Sequence, residues 1–417
     1  MSLTGVLGAN LPASVPIKTE YVIGGWIPGD SKLFLKKWRP VLETYLTDSV
    51  GPLYDPPISF KLVDVDYSED STSQNRIKAG QVDFVYNTPG VLGCIEASYG
   101  FTPIATQRQL VGGKESGAIG SLVYSKKDGV IKQLKDVHGR RVAVGQISTV
   151  GAYQLGFQLL LDYDINIYAH AEQVIFYQGD FARQMNAVLS GEADIGFLLT
   201  GWIEANFPQN IPLLEILEAK QIEYQSERYP FLTSTELVPS FGLSTAPQTP
   251  WTLQQNVLSA LSALNATHPA AQSAGISTFT LAASHELARK ISQSVGFIIK
   301  DESGTGSHCL SPFQAVHGII TCPHGYMKQT DEEIDSGCAR KGLPCPTGLV
   351  CVCRPCVPAP PVNVFPWQVV LGLCAAIFTA GLLLRLGWGG EWVDDEDLEV
   401  SYEPSRRPPS RKRSWKA

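Results

Sequence analysis

The 417-residue chain is short of charge. Asp, Glu, Lys and Arg make up 18%, below the usual quarter, while apolar residues stay near the ordinary level. The net charge of −7 offers no basic excess with which to hold nucleic acid. Missing too is a recognisable leader: MSLTGVLGANLPASVPIKTEYVIGG has neither a basic n-region nor an apolar core of sufficient length. No cysteine lies near the N-terminus, so a lipoprotein anchor is not expected there. The seven histidines are scattered, and residues 21–300 hold no nucleophile–base pair and no ligand-spaced metal cluster. Neither an enzyme nor a cofactor is therefore expected.

The strongest local absence is of charge over 357–384. Within it, WQVVLGLCAAIFTAGLLL (367–384) has only Gln368 and Thr379 as clearly polar residues. At the helical rise, Trp367 and Trp388 stand about 31 Å apart, close to a bilayer's hydrocarbon thickness, and fall where an aromatic belt belongs. The reading is one transmembrane helix over 365–388, the lipid bilayer its partner. Arg385 and the basic run from Arg406 to Lys416 follow it, whereas the nearest preceding basic residue is Arg354. This asymmetry predicts an extracellular or periplasmic N-terminal domain and a cytoplasmic, disordered tail over 389–417. A large translocated domain needs something to lead it across, so residues 1–18 read as a truncated start.

Seven of the nine cysteines, Cys309, Cys322, Cys338, Cys345, Cys351, Cys353 and Cys356, crowd before that helix among Pro and Gly. They predict a disulfide stalk over 301–364 in an oxidising compartment. Zinc on Cys345, Cys351, Cys353 and Cys356, with His324 in reserve, is the alternative. An odd count leaves one thiol free or bridging a disulfide-linked homodimer. The single sequon, Asn265-Ala266-Thr267, is a candidate glycosylation site.

Residues 19–300 alternate strand and helix patterns. YVIGGWI, FKLVDVDY, VDFVYN, RRVAVG, QVIFYQG and ADIGFLL read as strands, and SKLFLKKWRPVLETYL (with a kink at Pro40), STVGAYQLGFQLLLDY and FARQMNAVLSG as helices. Helices between strands imply parallel sheets with covered faces. One short phrase occurs twice, GQVDFVYNTPG (80–90) and GEADIGFLLTG (191–201). Gly80 and Gly191 suit the positive-φ position after a helix. Each Asp caps a short buried strand, and each strand delivers a Thr-bearing loop at its carboxyl end, where open α/β sheets bind ligands. Two such units suggest two similar lobes facing one another.

LKDVHGRRVAVGQISTVGAYQLGFQLLL followed by VIFYQGDFARQMNAVLSGEADIGFLLTGWIE resembles the phosphonate-binding-protein-like branch of type II periplasmic binding proteins. NTPG (87–90) and YPFLTSTELVP (229–239) look closest to sensor ectodomains of that branch, such as those of tetrathionate-sensing histidine kinases. The resemblance implies an α/β, two-lobed periplasmic-binding-protein type II fold over 19–300. Lobe one would be 19–105 plus 240–300 and lobe two 106–239, closing on a small anionic or polar solute.

Candidate ligand-binding residues follow. Gln146, Ser148 and Thr149 lie between a strand and a helix, where free N–H groups and two hydroxyls suit an anion; the plainer role of Ser148 is a helix cap. Asn87, Thr88 and Thr200 would face them across the cleft, with Trp26, Tyr86 and Tyr177 as stacking candidates and Gln178 and Asp180 beside them. Members that bind anions commonly carry a His where this chain has Phe181. A phenyl ring donates no hydrogen bond and the Asp180 carboxylate repels a dianion, which argues against phosphonate or phosphate. The leading expectation is the ligand-sensing ectodomain of a single-pass membrane receptor with a cytoplasmic signalling partner. The alternative is a membrane-tethered solute-binding protein serving an ABC-type transporter for a phosphonate- or phosphate-like substrate, and an adhesion module stands third.

Overall fold

The computed structural model describes residues 18–25, 31–65, 71–300, 307–309, 319–324, 326–343, 345–347 and 349–359. The expected membrane helix at 365–388, the tail at 389–417 and Trp26 lie outside them. Among the described residues no helix is long and apolar enough to cross a membrane.

Two mixed sheets are the largest among the described residues. The first contains β1 (Glu20–Gly25), β2 (Ser59–Asp64), β3 (Phe84–Asn87), β4 (Thr102–Val111), β10 (Gly242–Thr245) and β11 (Ile276–Leu281), in the order β11-β4-β10-β3-β1-β2. The second contains β5 (Ser121–Lys126), β6 (Arg141–Val144), β7 (Gln173–Phe176), β8 (Ile195–Leu199), β9 (Leu214–Ile216) and β14 (Val350–Val352), in the order β9-β5-β8-β6-β7-β14. Neither is purely parallel, contrary to expectation. β1 pairs in parallel with β2 and β3, and β6 with β7 and β8. The returning strands β4, β10, β5, β9 and β14 run antiparallel to their neighbours. The reason is topological: a chain that leaves a lobe and re-enters it must add strands running the other way. Where the chain crosses between lobes, Ile119 pairs with Val238 and Ala118 with Pro239.

The helical readings hold with local changes. α1 (Ser31–Arg39) runs into wide π turns from Pro40 to Tyr45, so Pro40, which has no N–H to donate, opens a widened segment. α2 (Pro89–Tyr99) follows β3, and π turns over Val150–Gln154 lead into α3 (Leu155–Asp162) after β6. α4 (Phe181–Ser190) precedes β8 and ends on Gly191 at φ +83°. α5 (Trp251–Ala263) covers lobe one, and α6 (Glu286–Ser294) follows β11. The two echoing phrases share a bonding pattern. Asp83 accepts from the Val22 N–H (2.7 Å) and Asp194 from the Arg141 N–H (2.9 Å), so each ties the entrance of its strand to that of the parallel neighbour.

The cysteine-rich segment lies against lobe two. β14 extends that lobe's sheet, the side-chain amide of Asn166 donates to the Thr321 carbonyl (2.8 Å), and Ile319, Ile320, Ile334 and Val352 join an apolar core. Cys322–Cys356, Cys338–Cys353 and Cys345–Cys351 are disulfides, so the four candidate zinc ligands are each oxidised. Cys94, which is not one of the seven crowded cysteines, is also disulfide-bonded, so the odd count of seven does not by itself leave a thiol over. β12 (Ile298–Lys300) and β13 (Ser307–Cys309) form a hairpin, and β13 packs on α2, the helix that carries Cys94. The side chain of Cys309 itself lies outside what is described.

Candidate functional site

Each lobe sends one strand into a helix start that its own side chains leave uncapped. In lobe one, β3 ends at Asn87, and Thr88 stands at the N-cap of α2 without accepting a bond from the helix. The Thr88 N–H donates to Asn87 Oδ1 (2.7 Å) instead. In lobe two, Thr149 is the N-cap of the π turns before α3, and its hydroxyl donates to the Gln146 carbonyl rather than accepting from the helix. Two uncapped helix starts place unsatisfied N–H groups and positive dipole ends in the region between the lobes.

Around them sit polar atoms that the fold does not use. Asn87 Nδ2, Thr88 Oγ1, Gln146 Oε1 and Ser148 Oγ are buried with no hydrogen-bond partner among the described residues. Asn87 and Gln146 are each only 1% exposed. A buried unpaired donor or acceptor costs about 1–3 kcal/mol, so four together mark a place that expects a polar occupant. Gln178, just past the carboxyl end of β7, adds its Oε1 as a fifth such atom and sits at φ +52°, a strained conformation for a non-glycine residue.

The lobes touch here. A Cβ added at Gly90, in the first turn of α2, would lie 2.8 Å from Gln154 Oε1, 3.3 Å from Ser292 Oγ and 3.4 Å from Val150 Cγ2. Gln154 is fully buried; its Nε2 donates to the Ile147 carbonyl (2.9 Å), and its Oε1 accepts from the Ser292 hydroxyl (2.8 Å). Gln154 and Ser292 were absent from the sequence-based candidates. The signal for Gln154 was there: one amide inside the apolar stretch GAYQLGF. For Ser292, on a helix distant in sequence, there was none.

Other candidates are engaged elsewhere. Tyr86 packs against Trp38 (4.3 Å between ring centroids) and Phe241 in the core of lobe one; its hydroxyl donates to Gln107, and burial pushes that phenol well above its ordinary range. The Tyr177 hydroxyl donates to Glu192 Oε1 (2.8 Å), and burial, followed by that carboxylate, raises it too. Thr200 Oγ1 accepts from the Gly120 N–H (2.9 Å) and bonds the Tyr229 hydroxyl. Asp180 caps α4 by accepting from the Arg183 N–H (3.0 Å), while Phe181 packs edge-on against Trp202 at 5.7 Å. Asn265 is exposed at a turn, its Oδ1 accepting from the Thr267 N–H (3.0 Å).

The model of one protein family, the periplasmic substrate-binding protein of phosphonate ABC transporters, matches residues 29–287, more than half of the chain. No curated protein matches it. Among solved structures, XAC2383 from Xanthomonas citri bound to chloride ion is 17% identical, with 66% of this chain and 96% of that one covered at a TM-score of 0.50. PhnD1 from Prochlorococcus marinus (MIT 9301) in complex with methylphosphonate is 13% identical over 66% of this chain and 98% of that one, at a TM-score of 0.45. At 17% identity the Xanthomonas structure speaks to the fold alone, two lobes of the type II periplasmic binding kind. With two mixed α/β sheets, paired crossovers and a polar junction between the lobes in place, the family match gives the conclusion: the chain belongs to the phosphonate periplasmic substrate-binding protein family of ABC transporters.

Proposed function

We propose that this protein binds a small polar solute between its lobes, in contact with Asn87, Thr88, Gln146 and Ser148, and does so from a membrane tether at 365–388. The observation that carries the reading is the cluster of buried, unpartnered amides and hydroxyls at two uncapped helix starts. The buried polar side chains among the described residues include no lysine or arginine. A neutral solute or one with a single negative charge suits such a site better than a dianion, because helix starts and neutral donors supply only partial positive charge. The family favours delivery to an ABC-type transporter; sensing would need a cytoplasmic partner for the tail at 389–417.

Thermal-shift titration of the full chain with methylphosphonate, inorganic phosphate, acetate, taurine and neutral amino acids tests this. Thr88→Ala and Ser148→Ala are expected to leave the solute-free protein as stable as before or slightly more so, since each removes an unpaired buried hydroxyl. Affinity for the stabilising solute should fall about tenfold per variant, roughly 1.4 kcal/mol. If no solute raises the melting temperature, or both variants destabilise the solute-free protein by roughly 2 kcal/mol, the assignment is wrong.

A further inference from the structure

α6 stands between the lobes. It follows the last strand of lobe one, yet it packs both on α2 of lobe one and on the π turns and α3 of lobe two. Toward lobe one, a Cβ at Gly93 of α2 would meet Arg289 Cβ at 3.3 Å, and Arg289 reaches Glu96 at 4.0 Å. Toward lobe two, Ala288 and Ile291 share an apolar cluster with Val150 and Leu155, and the Ser292 hydroxyl bonds Gln154. The chain leaving α6 continues the contact. Val295, Phe297 and Ile298 are buried in one cluster with Val91, Leu92, Cys94 and Ile95 of α2 and with Tyr153, Phe157 and Leu160 from the π turns and α3 of lobe two. Gly296, at φ +78°, turns there against the Ile319 carbonyl, 3.2 Å from where its Cβ would be, so the cysteine-rich segment backs this turn.

Two lobes that part freely in water need polar facing surfaces, because separating apolar ones exposes them to solvent. Here an unbroken apolar core runs from α2 through 295–298 into α3. The family match ends at residue 287, in the first turn of α6.

We propose that α6 and residues 295–298 are a wedge that holds the lobes together without solute, and that solute reaches the site only when this wedge withdraws. The proposal rests on the interlobe cleft being the solute site. Ser292 and Gln154 are the polar contact of the wedge; Ala288, Ile291, Phe297 and Ile298 are its apolar body.

The test is single-molecule energy transfer in the full chain. Dyes are attached through p-azidophenylalanine at the exposed positions Lys61 of lobe one and Lys126 of lobe two, which leaves the disulfides untouched. The wild type is expected to give one population that does not move at saturating methylphosphonate. Ile291→Ala combined with Ser292→Ala should raise a lower-efficiency population at least tenfold, and Ser292→Ala alone should raise it less. Circular dichroism and a cooperative melt establish that the variants fold. Two populations in the solute-free wild type, or a single one that shifts with methylphosphonate, overturns the wedge, as does a folded variant that keeps the wild-type distribution. A wild type that stays in one population and gains no thermal stability from any solute sinks the binding assignment while supporting the wedge. One that is stabilised by solute and divides between two populations does the reverse.

Discussion

Substituting Gly90 by Ala probes the closest approach between the lobes. No positive φ is required at Gly90, so the backbone accepts Ala, and the change acts through space alone. The new Cβ would stand 2.8 Å from Gln154 Oε1, closer than carbon and oxygen tolerate, with Ser292 Oγ at 3.3 Å behind it. Gln154 cannot swing aside without giving up its bonds to the Ile147 carbonyl and the Ser292 hydroxyl. Overpacking of this kind costs about 1–3 kcal/mol, and the helix propensity of Ala returns less than about 1 kcal/mol in a first turn. A net loss of about 1–2 kcal/mol is expected, a fall in Tm of roughly 3–6 °C at the scaling for large domains. Urea denaturation of the full chain, followed by tryptophan fluorescence, measures it. In a Gln154→Ala background the clash is gone, so Gly90→Ala should cost nothing there, a coupling of about 1–2 kcal/mol. Equal cost in both backgrounds, or a gain in the wild type, would refute the contact between α2 and Gln154 as drawn.

Two further outcomes follow from the described geometry. The Cys338–Cys353 disulfide closes a loop with a sequence separation of 15, so Cys338→Ser with Cys353→Ser should lose about 3 kcal/mol, read as a lower urea midpoint and a faster-exchanging β14. His285, 2% exposed at the start of α6 with neither ring nitrogen partnered among the described residues, has its pKa lowered by desolvation from 6.5 to about 4. The unfolded chain therefore takes up this proton first. Stability is full above pH 6.5 and falls by up to about 3 kcal/mol as the pH drops toward 4, and His285→Gln should flatten that limb of the pH–stability curve.

Side-chain alternation explains why part of the site was legible. A strand shows successive residues to opposite faces, so Asn87 and Tyr86 cannot serve the same surface. Tyr86 goes to the core beside Trp38 and Phe241, while Asn87 ends the strand at the junction. Sequence proximity to a loop does not say which face wins. Thr200 directly follows its strand, as Thr88 does in the other phrase, but Gly120 and Tyr229, brought in by the crossover and the segment returning to it, occupy its hydroxyl. Tyr177 and Asp180 were likewise taken by Glu192 and by the first turn of α4.

The repeated phrase, the strand and helix pattern and the family likeness are local properties of the chain, and local steric and capping rules suffice to read them. The disulfide density was local as well, since an oxidising compartment shows in composition. Which lobe the cysteine-rich segment joins, that its strand extends lobe two's sheet, with Val350 opposite Phe176, and that Cys94 takes part in a disulfide are decided by tertiary packing. The same holds for Gln154 and Ser292, 138 residues apart. Their bond exists because packing of α6 against both lobes leaves a buried amide that must find a partner, and only the assembled core decides which one it finds.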